Sequence, residues 1–317
     1  MTSWLIGRFL KGLLTLVAVL VLVFLLIRVV PSDPAAMLVP EDAPPEMVEY
    51  VRHLWGLDRP IHEQFATYVI NMLSGNAGDS YQYSSLSRGS SGTPAFGLVM
   101  SRLPNTLLLA LITLALSVSI AVPLGVITAL NADSWLDHTV FSISMMLTSL
   151  PNFFVGIMLI YIFALWLGIL PTGGIGKPEN LVLPAVVLSL HFTVTLTRLT
   201  RTEMGRVLRS DYITTANAKG LSKRIVFWKH ALKNVMIPLV TVIGLRLGGL
   251  FNGAVVVETM FRWPGIGKMM VDAIAARDYP IVQVIVPLSA IVFVGINILV
   301  DLIYGLVDPR VRAGGMR

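Results

Sequence analysis

Long apolar runs separated by short polar or turn-rich segments set the pattern of this chain. The first, Gly12 to Ile27, is unbroken, follows Arg8 and Lys11, and continues past Arg28 through Val29 and Val30. That gives the roughly 20 residues that cross a bilayer. It reads as a retained first helix in preference to a cleaved signal, with Arg28 near the outer end reaching the headgroups. Thr106–Leu130, Thr139–Leu167, Leu181–Thr197, Val235–Val257 and Val282–Val307 predict five more spans, with kinks at Pro123 and Pro151. Backbone in lipid must satisfy its own hydrogen bonds, and these runs are too long for barrel strands, so all six are expected to be helices.

The polar segments are unequal. Residues 31–102 are too long for a turn, and their proline-rich start followed by the weakly amphipathic stretch Glu46 to Leu73 predicts a small external subdomain with one or two short helices. Within it, residues 74–97 are rich in Ser and Gly and read as a flexible loop. Its Tyr81 and Tyr83 are candidate contacts for a protein partner, since tyrosines bury area at little entropic cost. The longest charged segment is 198–233, with nine Lys and Arg. Residues 203–219 hold no Pro and a single Gly, Gly205, and the pattern Ala216-x-Ala218-x-Gly220 predicts a short helix ending at a glycine. Small side chains there suit close docking by another protein.

Composition agrees with a polytopic membrane protein: 55% of the 317 residues are hydrophobic, 13% are charged, and there is no cysteine. The net charge of +6 matters by location. Arg8, Lys11, the basic 198–233 segment, Arg310, Arg312 and Arg317 fall on one side if the six helices alternate. This predicts cytoplasmic termini and makes a nucleic-acid partner an unneeded explanation. The absence of cysteine removes disulfides, thiolate zinc sites and iron–sulfur ligation.

Recognisable catalytic chemistry is missing. The pieces TGGIGKP at 172–178 and PGIGKMM at 264–270 resemble phosphate loops, but the positions that need Gly and a hydroxyl hold Pro171 with Pro178, and Arg262 with Met269. No HExxH or GxSxG motif is present, so the chain is not expected to be an enzyme or to bind a metal. Inside the spans, His191 is expected to be a hydrogen-bonded interior residue. Arg246 and Asp301 are costly in lipid and should face a partner helix, a second subunit or a wet cavity. One use of His191, Arg246 and Asp301 together would be an ion-coupled secondary transporter.

The motifs RVVPSDPA at 28–35, GLDRP at 56–60, RLPNTLLLA at 102–110, SDYITTANAKGLS with HALKNVMIPLV at 210–240, GAVVVETMFRWPGIGKMMVDAIAARDYPIVQ at 253–283 and DLIYGLVDPRVR at 301–312 occur in this order. Together they cover nearly the whole chain, which resembles the membrane-spanning permease subunits of ABC importers of the dipeptide, oligopeptide and nickel class. The resemblance implies an all-α polytopic membrane protein with six transmembrane helices of the type I ABC importer permease fold. Its parts would be a first helix in 1–30, an external subdomain at 31–102, a five-helix core at 103–308 containing the 198–233 loop, and a cytoplasmic tail at 309–317. A coupling helix would dock into an ATPase subunit through Asp211, Tyr212, Ala216, Ala218, Lys219 and Gly220. The wider superfamily has Glu-Ala-Ala before the glycine, whereas Thr214, Thr215 and Ala216 stand here.

The implied assembly pairs this chain, as the first of two non-identical permeases, with a second permease, two ATPase subunits that hold the ATP and Mg²⁺, and a periplasmic or lipid-anchored solute-binding protein. It would sit in the lipid of a bacterial inner membrane as a multi-pass protein, importing dipeptides or oligopeptides with no cofactor of its own. Ser149, Asn152, Thr193, Arg246 and Asn252, with Ser142, Ser144 and Thr148, are candidates for lining the path. Tyr81 and Tyr83 would contact the docked binding protein.

Overall fold

A computed structural model describes residues 2–29, 44–54, 56, 58–86 and 92–307. The chain divides into two compact units, one built on Arg102–Lys268 and the residues from Phe293 onward, the other on Thr2–Ser101 with Met269–Val292. The external segment 31–102 is therefore not a unit by itself, because the first helix and residues 269–292 belong with it.

The second unit contains α1 (Thr2–Val29), α2 (Pro45–Leu54), α3 (Ile61–Leu73) and α4 (Tyr81–Leu86). The segment expected to hold one or two short helices holds three among its described residues. Phe24 of α1 packs edge-on to Phe65 of α3 and lies 5.9 Å from the ring of Tyr68. That aromatic triad ties the two helices together. Residues 74–97 are less loop-like than their Ser and Gly content predicts. Asp79 and Pro94 form an antiparallel bridge, and the Ser80 hydroxyl and the Gln82 N–H both donate to the buried Asp278 carboxylate. Tyr81 and Tyr83 lie on α4 itself, half-buried, and not on a free tether; residues 87–91 lie outside the described residues.

The first unit is a helical bundle. Its α5 (Ala95–Leu130) starts eleven residues before the apolar run and absorbs both Pro104 and Pro123. Next, α6 (Trp135–Ser149) and α7 (Asn152–Leu159, continued by a wide π turn at Ile160–Trp166) are bent by 103° from each other. The expected kink is thus a full break. A residue before proline is pushed out of the helical region, and Leu150 is extended at φ −92°, ψ 131°, ending α6. Among the described residues, five helices are long and apolar enough to cross a membrane, or six if this bent pair counts as one span.

The central helix is α8 (Val182–Leu208), 61% of whose most apolar window is enclosed, against 11% for α1. Residues 198–208 are its continuation, not a loop. A short α9 (Asp211–Ala218) follows, then helical turns at Lys223–Ile225 and Val226–Leu232, the latter a π turn, lead into α10 (Lys233–Met260). The 198–233 segment is therefore mostly helical, with its non-helical part near 209–210 and 219–222. The chain continues with α11 (Ile266–Ala275) and α12 (Tyr279–Val307).

Candidate functional site

Two apolar clusters hold the first unit. One joins Ala121 and Val126 of α5, Phe192, Leu196, Met204 and Val207 of α8, and Val235 and Leu239 of α10, and includes Ile213 and Ala216 of α9. The other gathers Leu109, Leu183, Val187, Ala254, Val257, Phe261 and Trp263.

In α9 the three-residue spacing of Ile213 and Ala216 turns both toward the first cluster. Asp211, Tyr212, Thr214, Thr215, Ala218, Lys219 and Gly220 remain exposed. The six residues assigned to docking thus separate: Ala216 fastens the helix to its own chain, and the other five face outward. The Tyr212 hydroxyl accepts a hydrogen bond from Asn234 Nδ2 at 3.2 Å, a second tether to α10.

The helix stops as its glycine predicts. Leu221 N–H reaches Ala216 O and Gly220 N–H reaches Asn217 O, the paired bonds of a Schellman ending, with Gly220 at φ +77°. A Cβ there would meet nothing within 4 Å, so the requirement is for backbone conformation and not for space.

Between α6 and α8 lies an ion pair that sequence reasoning missed. Arg201 of α8 binds Asp137 of α6 through two parallel hydrogen bonds, and Asp137 also accepts from Asp133 N–H at 3.1 Å. Ser134 caps α6 by accepting from Asp137 N–H. The spacing Ser134-x-x-Asp137 was a legible start signal. The partner 64 residues away was not.

A hydrogen-bonded knot holds the opposite end of these helices. The Thr106 hydroxyl donates to Glu258 Oε1 at 2.6 Å and accepts from Ile266 N–H at 2.9 Å. Gly267 and Lys268 N–H donate to Glu258 Oε2 at 2.8 and 3.0 Å. Asn105 Nδ2 donates to Pro264 O and Trp263 Nε1 to Asn105 O, at 2.8 and 3.0 Å. Glu258 and Thr106 are fully buried. Both oxygens of this carboxyl group are thus met by donors, Oε1 by the Thr106 hydroxyl and Oε2 by two backbone N–H groups.

The false phosphate loop PGIGK therefore cradles the chain's own Glu258 carboxyl group. A Cβ on Gly265 would overlap that carboxylate, and one on Gly267 would meet it at 2.8 Å.

The path candidates divide as well. Asn152 Oδ1, Thr193 Oγ1, His191 Nδ1 and Thr113 Oγ1 are buried without a hydrogen-bond partner. His191 thus differs from its expected place in a hydrogen-bonded interior. Helices α7 and α8 pack at Gly156 and Val187, and Asn152 and His191 each lie one turn from that contact. Ser149 is exposed and donates to Met145 O, and Thr148 donates to Ser144 O. Arg246 is exposed on this chain and has no acidic partner among the described residues. The side chains of Asn252 and Asp301 lie outside the described residues, so the set of His191, Arg246 and Asp301 is not assembled among them.

Residues 121–313 match a family described as "Binding-protein-dependent transport system inner membrane component", and residues 1–110 match its N-terminal companion. The glutathione transport system permease protein GsiC of Escherichia coli (strain K12) is 36% identical over 98% of this chain and 99% of its own. The oligopeptide transport system permease protein AppB of Bacillus subtilis is 35% identical over 98% of this chain and all of its own. Among solved structures, the inward-facing MetNI methionine ABC transporter aligns with a TM-score of 0.58 at 17% identity, covering 69% of this chain and 100% of that chain. An amino acid ABC transporter aligns at 0.50, with 14% identity and coverage of 66% and 93%. Both carry the helical fold expected from the sequence.

Proposed function

The chain belongs to the binding-protein-dependent transport system inner membrane components, the permease subunits of ABC importers, and on that premise we propose that it forms half of the translocation path for short peptides. The observation that carries the reading is α9, whose Ile213 and Ala216 are set in the core while its Asp211, Tyr212, Ala218, Lys219 and Gly220 face outward. A helix held on one face and open on the other can pass a push from a docked ATPase into α8 and α10. ATP-driven closure of two ATPase subunits would then switch the helices between two packings. Full-length similarity to a glutathione permease and an oligopeptide permease supports peptides as the cargo.

The path would run past Asn152, Thr193 and His191, whose unpartnered atoms are costly in a dry interior and are relieved by water or a polar solute. Arg246, exposed on a single chain, fits a contact with the second permease. The charge distribution supports cytoplasmic termini in a bacterial inner membrane, with α9 on the cytoplasmic side.

Reconstitution with a second permease, two ATPase subunits and a binding protein tests this. Peptide uptake should require ATP and proceed without a proton gradient. Uptake on a proton gradient alone would select the secondary-transporter reading. A cysteine placed at Ser222 should be shielded from an impermeant reagent in intact cells while one at Ser74 reacts, and the reverse would overturn the orientation.

A further inference from the structure

Two sequence motifs are left without a role by the coupling helix and the path: GLDRP at 56–60 and the PIVQ that ends at Gln283. Both line one cavity. It measures about 450 Å³, lies wholly within the second unit, and is walled by α1, α3 and the start of α12, with Phe24, Tyr68 and Met72 among its apolar lining. That volume falls in the range of small-molecule sites.

The polar lining is one-sided. Among the described residues that line it, Arg59 is the one cation and none is Asp or Glu. The neighbouring carboxylate, Asp58, turns to His53 at 2.7 Å, and Arg59 has no ion pair among the described residues. The side-chain amides of Asn71, Asn76 and Gln283 make no hydrogen bond among the described residues. The Tyr68 hydroxyl donates to Gln283 O at 3.5 Å, and burial pushes it up to about 12, so it stays a neutral donor at any physiological pH. An unneutralised guanidinium selects an oxyanion, and it matches a carboxylate in two-point geometry. Free amides beside it can donate to and accept from peptide groups.

We propose that this cavity receives the C-terminal end of a short peptide, with Arg59 pairing to its carboxylate and Asn71, Asn76 and Gln283 bonding its last peptide units. The assignment rests on the peptide-importer reading above and adds a receiving site separate from the path.

The test uses the full chain in neutral phosphatidylcholine nanodiscs, with trialanine and its C-terminal amide as probes followed by saturation-transfer NMR. The acid should bind about three- to tenfold more tightly than the amide, the gain expected of one charge-assisted pair at a half-open site. Arg59→Gln should reduce the acid to the level of the amide. Gln283→Glu, which sets a like charge in the cavity, should weaken the acid alone. Equal binding of acid and amide, or no response to either variant, would overturn the assignment. Displacement of trialanine by phosphatidylglycerol in the disc would instead assign the cavity to a lipid headgroup and overturn it too. In the reconstituted importer, Arg59→Gln should raise the half-saturating peptide concentration at an unchanged maximal rate. A wild-type importer that takes up no peptide, while trialanine still binds through Arg59, would sink the functional reading and leave the carboxylate site standing.

Discussion

The two ends of the first unit are fastened by different physics. Around Glu258, six hydrogen bonds, three of them fully buried, join α5, the end of α10 and the start of α11. Around α9, two apolar side chains and the exposed Tyr212–Asn234 hydrogen bond do the fastening, and the ion pair between α6 and α8 is also open to water, with the Arg201 side chain 39% exposed. Buried polar networks admit one geometry and penalise any other, because each broken bond leaves an orphan. Apolar contacts slide at lower cost. The first end is built to stay in one arrangement, and the second can take up displacement.

The comparison breaks most readily at Glu258. Glu258→Ala strands the Thr106 hydroxyl and two backbone N–H groups, and should cost about 3 to 5 kcal/mol in thermal unfolding of the purified protein. Unfolding near the wild-type temperature would mean that the knot holds little.

Asp137→Ala should cost less, about 1 to 2 kcal/mol, because water reaches the arginine it leaves behind. Exchanging the charges with Asp137→Arg and Arg201→Asp should recover part of that loss, and no recovery would assign the effect to the cap of α6.

Gly220→Ala forces a Cβ into the left-handed region, with an expected penalty of about 1 kcal/mol. Gly220→Asn, which tolerates that conformation, should cost less. Equal costs would point to a docking contact in place of backbone strain.

The smallest effect on folding is expected at Ala218→Trp, within about 0.5 kcal/mol because the site is exposed. Uptake driven by ATP should nevertheless be lost, since bulk is pushed into the joint. Normal uptake would show that this face docks nothing.

Elements with a local cause were legible in the chain. Gly220 announced the end of α9, and Pro151 announced a break, because both act through their own backbone angles. The 103° at that break was not legible, since it depends on how α7 seats Gly156 against Val187 and Met260. Helix lengths were underread for a related reason. Hydropathy ends where the membrane ends, whereas Ala95–Asn105 and Arg198–Leu208 carry their helices on into polar sequence. The knot was invisible because Thr106 and Glu258 stand 152 residues apart. Its only trace was a glycine pattern that mimicked another chemistry. Within α9, the docking residues were read as one set because small size was taken as the signal, while helical phase divides Ala216 from Ala218.

That division has a consequence for how such machines diversify. Ile213 and Ala216 answer to this chain's own interior, while Asp211, Thr214, Thr215, Ala218 and Lys219 face outward and, in the proposed coupling role, would answer to the ATPase. One eight-residue helix thus carries two independent vocabularies. Rewriting the outward one should re-pair a permease with a foreign ATPase and leave its fold and cargo untouched, which makes α9 the natural place to splice orthogonal importers.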